Sequence, residues 1–138
     1  MADGIDLLLA DHRRVEALFR SFEESRDAAF VGQIIDALAA HDDAEHTALY
    51  PLATAVLGDD ALVARSMAAH AAVKLQIDVV TSLEGEPLIA AVAELEKLVA
   101  THVADEERKL FPALTDQASP AQLQGLGART LQTKQRVG

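Results

Sequence analysis

The chain has 138 residues, no Cys and no Trp, and a formal net charge of −10 from 22 acidic and 12 basic residues. That length suits one domain, residues 1–138, with a real core. The missing Cys excludes disulfides, thiolate metal sites and Cys nucleophiles, and the negative charge makes nucleic acid and anionic membranes poor partners.

Apolar residues make up 50% of the chain but aromatics only 4%, so the interior must be Leu, Val, Ile and Ala, a mix that favours packed helices over sheets. No run of about 18 apolar residues occurs, so no membrane-spanning helix is expected. The opening MADGIDLLLA lacks the basic start and apolar stretch of a signal peptide. A cytoplasmic location is the expectation.

Four segments show apolar positions stepping by three and four, the helical period. The first covers residues 5–24, through Leu8, His12, Val15, Phe19 and Phe22. The second covers 30–57, through Ile34, Leu38, His41, Glu45, Ala48 and Leu52. Gly58-Asp59-Asp60 ends it and starts the third, residues 60–83, through Val63, Met67, His70, Val73, Ile77 and Val80. Gly85-Glu86-Pro87 opens the fourth, residues 87–114, with Pro at a first helical position. Its stripe runs through Val92, Leu95, Val99, His102, Glu106 and Leu110 or Lys109. Pro51 and Pro112 lie near the C-terminal ends of their helices, where Pro kinks or stops the backbone. Short connections predict an all-α, antiparallel up-down-up-down four-helix bundle over about residues 5–114. Ser119-Pro120 reads as an N-cap followed by a first helical residue. It predicts a short C-terminal helix within residues 115–138, carrying Leu123, Leu126 and Leu131, as a cover or a contact between copies.

HDDAEHTALYP at 41–51 and HVADEERKLFP at 102–112 share one pattern, His-x-x-x-Glu followed five residues on by an aromatic and Pro. His12, Val15 and Phe19 likewise match His70, Val73 and Ile77. The chain thus reads as two copies of a helical hairpin.

Six polar residues, His12, His41, Glu45, His70, His102 and Glu106, sit in the apolar stripes of their helices, and those stripes face one axis. A buried Glu costs several kcal/mol unless paired or coordinated. Residues i and i+4 share a face, about 6 Å apart at Cβ, so each His-x-x-x-Glu pair can bind one metal or two adjacent ones. Four His and two carboxylates are too many for one tetrahedral zinc. Divided between two ions they give two His each with both Glu bridging, a set that suits iron, or less well manganese. The order is neither His-Glu-x-x-His nor His-x-x-Glu-His, so a zinc protease is not supported. His46 lies about 100° around the helix from Glu45 and should face sideways or outward, and its counterpart Glu107 reads as a surface residue.

In this order the blocks His12, His41-x-x-x-Glu45, His70 and His102-x-x-x-Glu106 resemble the hemerythrin-like, or HHE cation-binding, domain. The resemblance implies two iron ions with an oxo or hydroxo bridge. His12 and His41 would ligate one, His70 and His102 the other, with Glu45 and Glu106 bridging. Oxygen-carrying hemerythrins have a fifth His one turn after the third-helix His and close with His-x-x-x-x-Asp. Here position 74 is Lys and the last motif is His-x-x-x-Glu. Both ions would then keep an open position, which favours reaction over reversible carriage. The resemblance therefore implies a di-iron oxidoreductase acting on peroxide first, or oxidising a small organic molecule with oxygen. The alternatives are oxygen or nitric oxide sensing or binding, and iron storage.

Two readings of Lys74 stand: a cation that hydrogen-bonds peroxide in the pocket, or a side chain that snorkels to solvent. Tyr50 lies five residues past Glu45, about 140° around an ideal helix. Direct ligation by Tyr50 would need a distortion, for which Pro51 is the candidate cause; otherwise Tyr50 packs or hydrogen-bonds beside the site. Assembly of copies into a homo-oligomer is compatible with the sequence.

Overall fold

The computed structural model describes residues 3–58 and 61–137, and the described residues are helical apart from short connections. Helix α1 spans Gly4–Ser25. It starts where the Asp3 carboxylate accepts the Asp6 N–H at 3.0 Å, while Asp6 returns the bond to the Asp3 N–H. This reciprocal cap satisfies amides that otherwise lack partners. Helix α1 ends at Arg26, whose φ of 57° reverses the chain. Helix α2 (Ala29–Ala44) runs through a π turn at Glu45–Leu49 into α3 (Tyr50–Leu57), closed by Gly58 at φ 64°. Helix α4 is Ala61–Thr81; the expected start signal at Asp59-Asp60 lies outside the described residues. Helix α5 (Gly85–Asp105) begins two residues before Pro87 and runs through a second π turn, Glu106–Leu110, into α6 (Phe111–Gln117).

Of the two outcomes expected at Pro51 and Pro112, a kink or a stop, neither Pro stops its helix, and a π turn precedes each. A Pro inside an α-helix removes one amide and drives its ring against the carbonyl four residues back. Widening the preceding turn to i→i+5 bonding moves that carbonyl away, so the helix continues past the ring. Both π turns begin at a Glu of the repeated motif, and Tyr50 and Phe111 donate their backbone N–H to the carbonyls of Glu45 and Glu106. Widened turns of this kind concentrate at functional sites.

Helix α1 packs along α2, and α4 along α5, while α7 (Pro120–Val137) lies against both α1 and α2. At 18 residues α7 is longer than the short helix expected. Its start is a reciprocal cap between Ser119 and Gln122. Of the three leucines expected to form its contact face, Leu123 and Leu126 are buried, but Leu131 is 48% exposed and Thr130 and Thr133 are buried. Helix α7 acts as a cover: Gly4 leaves room for Leu126, and a Cβ at Gly4 would strike that side chain. Among the described residues no helix is long and apolar enough to cross a membrane.

Two apolar clusters fill the interior. One contains Leu8, Leu49, Tyr50, Phe111 and Leu126; the other contains Val15, Phe19, Leu38, Leu95 and Val99. The six polar residues of the repeat form a layer between them.

Candidate metal centre

His12, His41, His70 and His102 are 2–7% exposed, Glu45 0% and Glu106 1%. All four imidazoles aim Nε2 inward. His12 Nε2 lies 3.1 Å from His41 Nε2 and 3.3 Å from Glu106 Oε1, and His41 Nε2 lies 3.4 Å from Glu45 Oε2. On the other side, His70 Nε2 lies 2.7 Å from His102 Nε2 and from Glu45 Oε1, and His102 Nε2 is 3.1 Å from Glu106 Oε2. The donors thus form two groups of four, each with ligand atoms within 4.8 Å of one another. Each carboxylate gives one oxygen to each group.

This donor set fits a metal site. Ring nitrogens this close repel as facing lone pairs unless a proton or a cation lies between them. Glu45 Oε2 and Glu106 Oε1 are buried without a hydrogen-bond partner, an arrangement that costs about 1–3 kcal/mol per group and that a cation would relieve.

The outward nitrogens are held as well. His12 Nδ1 donates to Glu107 at 2.7 Å, His41 Nδ1 to Asp11 at 3.1 Å, and His70 Nδ1 to Asp42. A carboxylate on Nδ1 keeps the proton there and leaves the Nε2 lone pair pointing inward. Asp11 is held in turn by Lys134 of α7, and Glu107 by Arg13. Glu107 is therefore not a mere surface residue, which corrects the expectation from its sequence position. His46 is 39% exposed, as expected for its angle on the helix, but its Nε2 reaches Asp42 at 3.2 Å.

Electrostatics follow from this packing. Burial alone would lower the His41 pKa, but Glu45, Asp11 and Glu106 carry it up to about 10. Burial opposes His102 too, yet the hydrogen bonds that Glu106 and Glu45 accept from it raise it to about 9. Burial would raise Glu45, but His41, His102 and His70 hold it well below the usual carboxylate range.

Tyr50 does lie beside the centre, because the π turn, and not a kink at Pro51, returns residue i+5 to the face of residue i. Its hydroxyl is 3.4 Å from Glu45 Oε1 and donates to Ser66 Oγ at 3.0 Å, while Ser66 donates to Glu106 Oε2 at 2.9 Å. Burial and the two glutamates raise the Tyr50 pKa, so its proton stays on. Its counterpart Phe111 stacks on His12 at 5.7 Å between ring centroids, and Tyr50 meets His70 edge-on at 5.6 Å.

Periodicity in the sequence does not find Ser66 and places Met67 inward instead. Ser66 is 3% exposed and Met67 43%. Helix α4 is apolar on nearly every side, so periodicity could not choose its inner face. Asp11 and Asp42 also escape the sequence pattern, though each is the chain neighbour of a candidate ligand. Lys74 is exposed and lines a cavity of about 240 Å³ whose floor is the four His. Glu45 and Glu106 do not line it.

The family model for the hemerythrin HHE cation-binding domain matches residues 3–120. The chain belongs to this family. Among solved structures, it is similar to a hemerythrin HHE cation-binding domain-containing protein from Mycobacterium kansasii, with a TM-score of 0.86. That likeness has 21% sequence identity and covers 99% of this chain and 88% of the other, and it speaks for the fold. No curated protein matches the chain. The four-block order of the HHE domain is present here with Lys74 where a fifth His would stand.

Proposed function

We propose that this HHE domain is a di-iron oxidoreductase, built on an antiparallel up-down-up-down bundle, that acts on peroxide. His12 and His41 would hold one ion and His70 and His102 the other, with Glu45 and Glu106 shared between the two. One observation carries the reading: the two oxygens of both carboxylates divide between the two imidazole pairs. When bound, iron would supply redox chemistry and Lewis acidity.

The chain's own part is binding, orientation and exclusion of water. Asp11, Asp42 and Glu107 hold three of the imidazoles in the tautomer that leaves Nε2 free. The Tyr50–Ser66 pair fixes the carboxylates from the side opposite the cavity. Small molecules reach the centre past the imidazoles, through aliphatic walls, with Lys74, Asp42 and Asp78 at the polar rim. Each ion would have four donors from the chain, two imidazoles and two carboxylates. Lys74 would supply a proton donor and positive charge at that rim.

Metal analysis with an optical spectrum of the purified protein tests the centre, and two irons per chain are expected. Repeated oxygen evolution from added hydrogen peroxide is expected of the enzyme. A single tetrahedral ion overturns the centre, and one stoichiometric spectral change without turnover overturns the enzymatic role. Lys74→Ala should slow peroxide consumption about 100-fold or more, the scale of one lost general acid, at unchanged iron content.

A further inference from the structure

The cavity above the imidazoles is larger than peroxide or dioxygen requires. An engineered cavity of about 150 Å³ lined by aliphatic and aromatic side chains accepts benzene; this one measures about 240 Å³. By that scale it takes a body of roughly ten non-hydrogen atoms. Val15, Leu38, Val73, Ile77, Val99 and Val103 line it and offer no hydrogen bonds. A hydrogen peroxide molecule away from the floor and rim would lose its water partners and gain none. The walls are suited to hydrocarbon.

The rim limits charge. Lys74 is the cation there, and Asp42 and Asp78 flank it. The two carboxylates outnumber the single ammonium, so the rim offers no net positive charge. An anionic tail would meet two carboxylates at the mouth, and a cationic one would need to shed water against aliphatic walls. A neutral molecule meets neither penalty.

We propose that this cavity binds a neutral organic molecule with an apolar body and one oxygen-bearing end, of the class of an aralkyl hydroperoxide or its alcohol. The body lies among Val15, Val73, Ile77 and Val99. Its oxygen faces the four-imidazole floor. The choice of the oxygen-bearing end rests on the di-iron reading above; the size, shape and neutrality of the pocket do not.

The test titrates the metal-free protein with 2-phenyl-2-propanol, an unreactive alcohol of matching size, followed by methyl NMR. Saturable shifts at the methyl groups of Val15, Leu38 and Val99, with a dissociation constant below about 1 mM, are expected for ten well-packed atoms. Val73→Phe and Ile77→Phe each narrow the cavity from a half-buried position and should weaken binding at least about tenfold. Leu75→Phe, on the same helix but 69% exposed and outside the lining, should leave it unchanged. Absent or scattered shifts in the unmodified protein overturn the proposal, with no variant needed. Equal weakening by Leu75→Phe overturns it too. A protein that turns over hydrogen peroxide but does not take up the alcohol defeats this inference alone. One that takes up the alcohol but holds no iron defeats the di-iron reading alone.

Discussion

Ser66→Ala isolates the hydrogen-bond chain beneath the centre. Ser66 Oγ donates to Glu106 Oε2 at 2.9 Å and accepts the Tyr50 hydroxyl at 3.0 Å. The side chain is 3% exposed, so water does not replace it. The substitution removes a donor to a charged acceptor, worth about 1.5–3 kcal/mol, and leaves the Tyr50 hydroxyl a poorer partner in Glu45 Oε1 at 3.4 Å. The volume change is one oxygen, so no significant cavity term is added. We expect the metal-free protein to lose about 2–3 kcal/mol, or roughly 6–12 °C in Tm for a chain of this size. With metal bound, the charge of Glu106 is neutralised and the loss should fall to about 1 kcal/mol. Urea denaturation with and without metal measures both values. Tyr50→Phe added to Ser66→Ala should cost little more, because the two side chains form one network. A metal-free loss under about 0.5 kcal/mol would refute the assignment of Ser66 to that network.

Metal binding should release protons at about pH 7.5, because His41 and His102 hold theirs up to about 10 and 9 in the metal-free protein. Titration calorimetry in buffers of different ionisation enthalpy reads this, and buffer-independent heats would contradict it. These raised values also mean that the metal-free fold is stabilised below the ordinary His pKa, and that this support fades as pH climbs through about 9 to 10. Gly4→Ala pushes a Cβ into Leu126; overpacking of this kind costs about 1–3 kcal/mol, and a loss of α7 helical signal ahead of global unfolding is the expected readout. Glu96 is raised to about 7, by partial burial first and then by sharing a proton with Glu23. A carboxyl raised in the folded state favours folding at low pH, so this contribution disappears as pH rises from about 4.5 through 7. Glu96→Gln should flatten that slope in Tm against pH, and an unchanged slope would show that the pair does not couple to folding.

Much of the centre is legible in the order of residues alone. His12, His41, Glu45, His70, His102 and Glu106 stand out because ionisable groups in an apolar stripe violate the usual pattern, and helical periodicity alone puts them on one axis. The approximate helix boundaries follow from the same period together with Gly58, Gly85 and Ser119. Ser66 is not legible in this way, because α4 is apolar on nearly all sides and its inner face depends on what packs against it. Glu107 looks solvated in the sequence because its partner, His12, is far away along the chain.

The amino-acid sequence by itself determined that four His and two Glu side chains share the interior of a helical protein, because local period and burial cost need no knowledge of neighbours. Only the tertiary structure decided which oxygen of each carboxylate faces which pair of imidazoles, that two π turns carry the helices past Pro51 and Pro112, and that Tyr50 and Ser66 support only one side. Those outcomes depend on how separate helices meet across the core, and contacts between distant segments leave no period in the chain.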